Sequence, residues 1–438
     1  MQLFRSFKIS KLFGYKTVNI EFNSDIMILI GENGSGKTTI MNCINYVLKK
    51  QYDKLAEIQF EYIEIVWGKN GKKWIITHEE LTAKRIGTVN IRERSVINQI
   101  QEKVKVGQFR KLINLVYADI DEDTKVENVF QFLLGKGVNS KYGKTLVYDC
   151  AYKIVDDIIA FNFANEVNEM SQYIVGDVLS LPTFRRIEKE FNLDKEKLER
   201  TLTGMHFGMS DVKELIENIR GKIDELNKKG FNQMIINLLG KYINPQPGGG
   251  GFYLQADKVE IVLKRLGDKL PDEIKNSITE YLVHQRHDIP FIESIVEELY
   301  KIYEQQESLD NCIKLFVEKC NAYLKNKAFV YKESEVSLTL ISKESDDIID
   351  LESLSSGEQQ IISMLSQLYL RQTDEKFIVL VDEPELSLSI RWQEMLLPDL
   401  MKSGKCLFLL AVTHSPFIFN NELKQYAIGL HKFVEENG

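Results

Sequence analysis

The sequence predicts an α/β protein, a mixed sheet flanked by helices, carrying an antiparallel β subdomain and an all-helical insertion. Three observations predict it. The apolar run Ile26-Met27-Ile28-Leu29-Ile30 leads straight into the glycine-rich segment GENGSGKTT and then into a helical pattern over 39–48. Two further apolar runs, 377–381 and 406–412, each end in polar residues, as buried strands of an α/β sheet do. Residues 191–325 are long, charged, helix-forming segments with almost no strand signal.

The glycine-rich segment meets the pattern G-x-x-x-x-G-K-[ST] through Gly31, Gly36, Lys37 and Thr38. From ordinary residue frequencies that pattern arises by chance in roughly one chain in a hundred of this length. Its glycines let backbone N–H groups turn inward around phosphate oxygens, and the N-terminus of the helix that follows adds positive potential. On this reading Gly31, Asn33, Gly34, Ser35, Gly36, Lys37, Thr38 and Thr39 hold ATP. Lys37 reaches the β and γ phosphates, and the Thr38 hydroxyl ligates Mg²⁺. A near-miss over 137–145 ends in the same Gly-Lys-Thr but lacks the first glycine at the right distance, and is expected to be a loop.

The other elements follow in order. Strands are expected over 3–9 and 18–22. A hairpin follows, because 58–62 alternates and Trp67 and Trp74 flank Gly68-Lys69-Asn70-Gly71, where Asn-Gly favours a tight turn. Residues 91–117 and 145–173 read as helices. Val178 begins a short strand that Pro182 ends; Arg185 and Arg186 beyond it are either surface charge at a helix start or groups on the nucleotide side. Val212, Ile216, Ile219, Ile223 and Leu226 follow a 4-3 spacing, a seam suited to packing against another helix. The stretch 244–251, NPQPGGGG, interrupts the helical region as a turn or tip. Strands return over 328–331 and 336–341. The expected division is therefore 1–190 as an N-terminal lobe, 191–325 as a helical insertion and 326–438 as a C-terminal lobe.

The C-terminal lobe carries the remaining chemistry. The strand over 376–381 ends in Asp382, Glu383 and Pro384. Asp382 is suited to hold the Mg²⁺ that Thr38 also touches, and Glu383 to orient and deprotonate the attacking water. The strand over 406–412 ends in Thr413-His414-Ser415-Pro416, where His414 is placed to donate a hydrogen bond to the γ-phosphate. A fourth segment, Leu354-Ser355-Ser356-Gly357-Glu358, leads into a helix over 361–371; Ser356 with Gln359 fits the capping-box pattern. A serine-glycine helix start is also an anion site. One nucleotide already has its cradle at 31–39, so this second one is expected to face a nucleotide held by another subunit, with ATP joining a homodimer.

Composition narrows the alternatives. At 438 residues and 44% apolar content the chain is long enough for two or three domains with a sizeable core. Its apolar runs are far short of a membrane span, and its first residues lack a signal-peptide core, so a cytoplasmic location is expected. Five cysteines show no C-x-x-C pair and read as reduced, buried side chains. His284, His287 and Asp288 read as a solvated helix end rather than a metal cluster. A net charge of −8 argues against a broad nucleic-acid coat; Lys103, Lys105, Arg110 and Lys111 read first as a wet helix face, and second as a DNA contact.

Phosphate loop, helical insertion, LSSGE, DEPE strand end and THSP, in that order, resemble the ABC-type ATPase heads of the RecF, SMC and OLD group. The resemblance covers 1–190 and 326–438. It implies that Ser355 and Gly357 engage a partner's ATP and that two heads close on two nucleotides. More narrowly, LPTFRRIE, LSSGEQQ, DEPELSLSIRWQ and THSPFIFNNEL are similar to ATPase subunits of bacterial anti-phage defence systems such as PARIS and Septu, where a separate nuclease or toxin is the effector. There are three departures. No cysteine hook is present for zinc dimerisation at an arm tip. The chain ends soon after His414, so the C-terminal nuclease of OLD proteins is not expected. The glutamine of the lobe-connecting loop is not identifiable, and 182–186 stands in its place. The expected function is an ATP-hydrolysing switch that works as a homodimer or higher oligomer and holds or releases an effector protein. The alternatives are a RecF-like repair ATPase that binds DNA directly and, less favoured, a scaffold with structural ATP, against which Lys37, Asp382, Glu383 and His414 speak.

Overall fold

The computed structural model describes residues 3–32, 34–68, 70–83, 89–104, 106–139, 141–181, 208–243, 256–284, 290–371 and 376–436. Two compact units emerge, Met1–Val178 with Ile428–Gly438, and Leu179–Ala427.

The first unit is built on strands Phe4–Leu12 (β1), Lys16–Glu21 (β2), Ile26–Ile30 (β3), Tyr62–Trp67 (β4), Lys73–Thr77 (β5) and, near the end of the chain, Val434–Glu436 (β11). An antiparallel sheet runs in the order β11-β2-β1-β4-β5. Register shifts in β1 let Phe4, Phe7, Ile9 and Leu12 all face the core, with the Trp67 ring stacked 5.2 Å from that of Phe4. The hairpin strand expected over 58–62 begins instead at Tyr62. Before it the chain turns, with Ile58 N–H on the Leu55 carbonyl, and only Phe60 tucks inward.

Four helices of this unit, Ile91–Lys103, Val106–Val116, Glu122–Leu134 and Lys144–Ser171, share one core that includes Val96, Ile100, Leu112, Val129, Val147 and Ile154. The single helix expected over 91–117 is two. Val104 is extended (φ −90, ψ 110) and buried, and the turn it makes lets both halves face the same core. Lys103 lies 3.6 Å from Glu102, and Lys111 sits over the Phe132 ring at 5.6 Å; Lys105 falls outside the described residues. Residues 137–139 and 141–143 are loop, with Gly137 at φ +88, whereas Lys144 and Thr145 already open the next helix.

The second unit opens with the helices Met209–Ile243, Ala256–Leu266, Asp272–His284 and Pro290–Tyr323. The predicted seam holds in part: Val212, Ile219 and Ile223 are fully buried, Ile216 and Leu226 half-buried. It continues through Asn227, Gly230 and Met234. At Gly230 a Cβ would lie 2.7 Å from Ile302 Cγ1, so glycine permits the close approach of helix 209–243 to helix 290–323. A buried polar knot ties these helices to the hairpin Lys327–Lys332 (β7) and Ser337–Ser342 (β8). Arg265 donates to Asp310 at 2.7 Å, to the Glu333 carbonyl at 2.8 Å and to Gln306. Gln306 in turn donates to Asn227 at 2.8 Å, and the Tyr331 hydroxyl to Asp310.

Strands Phe377–Asp382 (β9) and Cys406–Thr413 (β10) pair in parallel, with Leu380 opposite Leu410 and Asp382 opposite Val412. Every residue of β9 is buried, which is why its sequence is a continuous apolar run rather than an alternation. Helices Ser356–Tyr369 and Ile390–Lys402 complete this part, joined where Tyr323 and Tyr369 donate to the Asp399 carboxylate and carbonyl, at 2.9 and 2.8 Å. The short strand Asp177–Leu181 (β6) stops before Pro182 as expected; Pro182, Arg185 and Arg186 lie outside the described residues, as does 244–251. Among the described residues no helix is long and apolar enough to cross a membrane.

Candidate active site

In the first unit, β3 ends at Ile30 and the helix Lys37–Leu48 (α1) starts seven residues on. Gly34 and Gly36 take φ +83 and +92, conformations that L side chains rarely adopt, so the turn requires glycine there. Gly31 is needed for space, since a Cβ would lie 2.8 Å from Ser35 Oγ and 3.3 Å from Lys37 Cδ. Helix α1 has no side-chain cap, leaving its first N–H groups for another acceptor. Lys37 is only 4% exposed, and its ammonium donates to the loop's own carbonyls, Gly31 at 2.8 Å and Glu32 at 2.7 Å. Ser35 Oγ is buried without a hydrogen-bond partner. An uncapped helix start, an orphaned buried hydroxyl and a folded-back ammonium form a cradle that fits phosphate oxygens. Asn33 lies outside the described residues; Thr38 and Thr39 open the helix, half-buried.

In the second unit the parallel register of β9 and β10 brings two polar strand ends side by side. Asp382 is 3% exposed, and the Glu383 N–H bonds the Val412 carbonyl at 2.9 Å. Glu383 itself has φ +45, a left-handed conformation that costs a non-glycine residue on the order of 1–3 kcal/mol and persists only where its surroundings enforce it. The chain turns sharply here so that Glu385, 6% exposed, reaches under the end of β10. One of its oxygens, Oε1, accepts from the backbone N–H of His414 at 2.8 Å and of Ser415 at 3.2 Å, and lies 2.8 Å from His414 Nδ1. The other, Oε2, is buried with no partner. The Ser415 hydroxyl donates to Gln393 at 2.6 Å, and Gln393 donates to the Leu388 carbonyl at 2.9 Å, closing the turn.

The serine-glycine helix start is also in this unit. The expected cap is displaced by one residue, because the helix begins at Ser356 rather than after it. Ser355 is the extended N-cap (φ −63, ψ 158), and its partner is Glu358, not Gln359. Glu358 accepts from the Ser355 N–H at 2.8 Å and from Lys327 at 2.9 Å, while Gln359 donates to the Leu354 carbonyl at 3.1 Å. Burial alone would raise the Glu358 acid, but Lys327 and the Ser355 donors outweigh it and hold the carboxyl below its ordinary value. Ser355 and Ser356 are exposed, whereas Gly357 is buried. A Cβ on Gly357 would fall 2.4 Å from the Ser387 carbonyl oxygen, so this glycine has a packing reason that its place in a signature motif did not suggest.

Within the second unit, then, Asp382, Glu383 and His414 meet at two adjacent strand ends. Ser355, Ser356 and Gly357 open a helix whose Gln360 donates to the Pro384 carbonyl at 3.4 Å. The phosphate-loop residues belong to the first unit. Sequence reasoning missed Glu385; it stood in plain view as the last letter of DEPE, but nothing in the local pattern linked it to a histidine 29 residues on. Among the described residues no group of three or more His, Cys, Asp and Glu side chains could hold a metal by itself. Thr38 opens a helix of the first unit and Asp382 ends a strand of the second; each offers oxygen, the donor type Mg²⁺ prefers.

A family model described as AAA ATPase domain (AAA_15) matches residues 5–419. No curated protein gives a significant match.

Proposed function

The chain belongs to the AAA_15 family of AAA ATPase domains, and from that premise we propose an ATP-driven switch that opens and closes as a homodimer. Two heads bind ATP, close across two nucleotides, hydrolyse them and thereby hold or release a separate effector protein, a nuclease or toxin, in defence against phage. The observation that carries the reading is the paired strand end, where Asp382, the strained Glu383 and the clamped His414 emerge together. Strain of this kind clusters at sites where a side chain must be aimed.

In this mechanism the first-unit loop holds the triphosphate through its N–H groups and Lys37. Thr38 and Asp382 would hold Mg²⁺, which would supply charge neutralisation on the phosphates. Glu383 accepts a proton from the attacking water, and His414 donates a hydrogen bond to the terminal phosphate. Ser355, Ser356 and Gly357 at a capped helix start are offered to the nucleotide of the partner subunit, and the absent side chain of Gly357 also seats that helix against the Ser387 carbonyl.

The test uses two variants. Glu383→Gln retains ATP and accumulates a closed dimer, read by native mass spectrometry and single-turnover hydrolysis; hydrolysis at the native rate refutes the base assignment. Lys37→Ala loses ATP-Mg²⁺ binding in isothermal titration, and unchanged affinity refutes the phosphate-loop role. ATP-dependent, salt-sensitive binding to duplex ends or gaps would replace the effector reading with direct DNA binding.

A further inference from the structure

Glu385 is buried, and its two oxygens are used unequally: one is loaded with three nitrogen partners while the other has none. Among the described ion pairs its partner is His414. A buried carboxylate with half its accepting capacity unused is costly to keep for stability alone. Its three contacts all converge on the segment that carries His414. The two backbone N–H bonds fix where the chain turns out of β10. The Nδ1 contact fixes the ring, because a carboxylate accepts only, so Nδ1 must carry the proton. Nε2 is then the ring nitrogen left for a ligand, on a side chain 41% exposed.

We propose that Glu385 is the positioning residue of His414, selecting its Nδ1–H form, pinning its ring and directing Nε2 at the terminal phosphate. The phosphate end of this inference rests on the hydrolysis mechanism proposed above; the Glu385–His414 coupling does not. Nε2 donates to a phosphate oxygen only when it too is protonated, so the ring that engages phosphate is an imidazolium, and the Glu385 carboxylate is its counter-charge. At metal-bound histidines, outer carboxylates of this kind change activity by about ten- to a hundredfold when removed, because they set ring orientation and tautomer.

The decisive variant is Glu385→Gln, which keeps size and a carbonyl acceptor for the two backbone N–H groups. Two readouts are needed. The first is the ¹⁵N spectrum of the imidazoles in nucleotide-free protein, with His414→Ala used for assignment. His414 is expected to be protonated at Nδ1 in the native protein and to shift toward the Nε2–H form in Glu385→Gln. The second is steady-state ATP turnover. Glu385→Gln is expected to lower kcat about tenfold with KM within about twofold, and to add nothing further in a His414→Ala background. A native ring protonated at Nε2, a spectrum unmoved by Glu385→Gln, or losses that multiply in the double variant would overturn the proposal. If the native protein turns over no ATP, the hydrolysis mechanism fails while the ¹⁵N spectrum still judges the coupling.

Discussion

Gly357→Ala sets packing against helix propensity, because the two predict opposite signs of stability change. In a helix, replacing glycine by alanine ordinarily stabilises by about 1 kcal/mol. At Gly357 the added methyl lands 2.4 Å from the Ser387 carbonyl oxygen and 3.2 Å from Trp392 Cζ3. Ordinary van der Waals contact starts near 3.4 Å, so roughly 1 Å must be absorbed by backbone, and Ser387 is already strained at φ +66. Overpacking of that severity costs about 3 kcal/mol, the upper end of its usual range. Offset by the propensity gain, a loss of about 2 kcal/mol remains, or a fall in Tm of about 4–8 °C for a domain of this size. Differential scanning fluorimetry measures it. The internal control is Gly221→Ala on helix 209–243, where a Cβ meets nothing within 4 Å and alanine should raise stability. A Gly357→Ala protein that melts at or above the native temperature would refute the packing argument.

Three further outcomes are expected. Arg265→Met leaves Asp310, with 0% of its side chain exposed, buried without its ion partner; the loss is about 3–5 kcal/mol by urea denaturation, and a loss under about 1 kcal/mol would show that the knot is not structural. The Glu358 carboxyl is held below its ordinary value when folded, so its contribution is complete above the usual glutamate range and lost as pH falls through the lowered value. The Tm difference between native protein and Glu358→Gln should therefore shrink in acid, and a difference that grows in acid would contradict the assignment. Burial pushes the Cys43 thiol up to about 12 and Cys150 to about 11, with Cys320 also well above its ordinary value. Native labelling with a maleimide should spare these three and reach Cys312 or Cys406 first, as mass spectrometry of digested peptides would show.

The phosphate loop was legible because its requirements are contiguous: glycines at fixed offsets, a strand before and a helix after, each imposed by neighbours in the chain. The same holds for β9 and β10, whose apolar runs mark buried strands, and for the strands β7 and β8, whereas of the first hairpin the turn was legible but not the strand, which begins at Tyr62. Boundaries were less legible. Val104 breaks a helix that periodicity alone carries through, and the cap on the signature helix moved one residue because two serines stand together and only backbone geometry chooses between them.

Local spacing thus determined a glycine-rich loop between a strand and a helix, two strand ends bearing acids and a histidine, and long helices in the middle of the chain. Tertiary structure alone decided that Glu385 clamps His414, that Gly357 is a seat for a carbonyl, and that Arg265 and Asp310 share a dry knot with Asn227 and Gln306. The reason is physical: each of these depends on groups far apart in the chain, and a buried polar or close-packed contact leaves no periodic trace in the residues on either side of it.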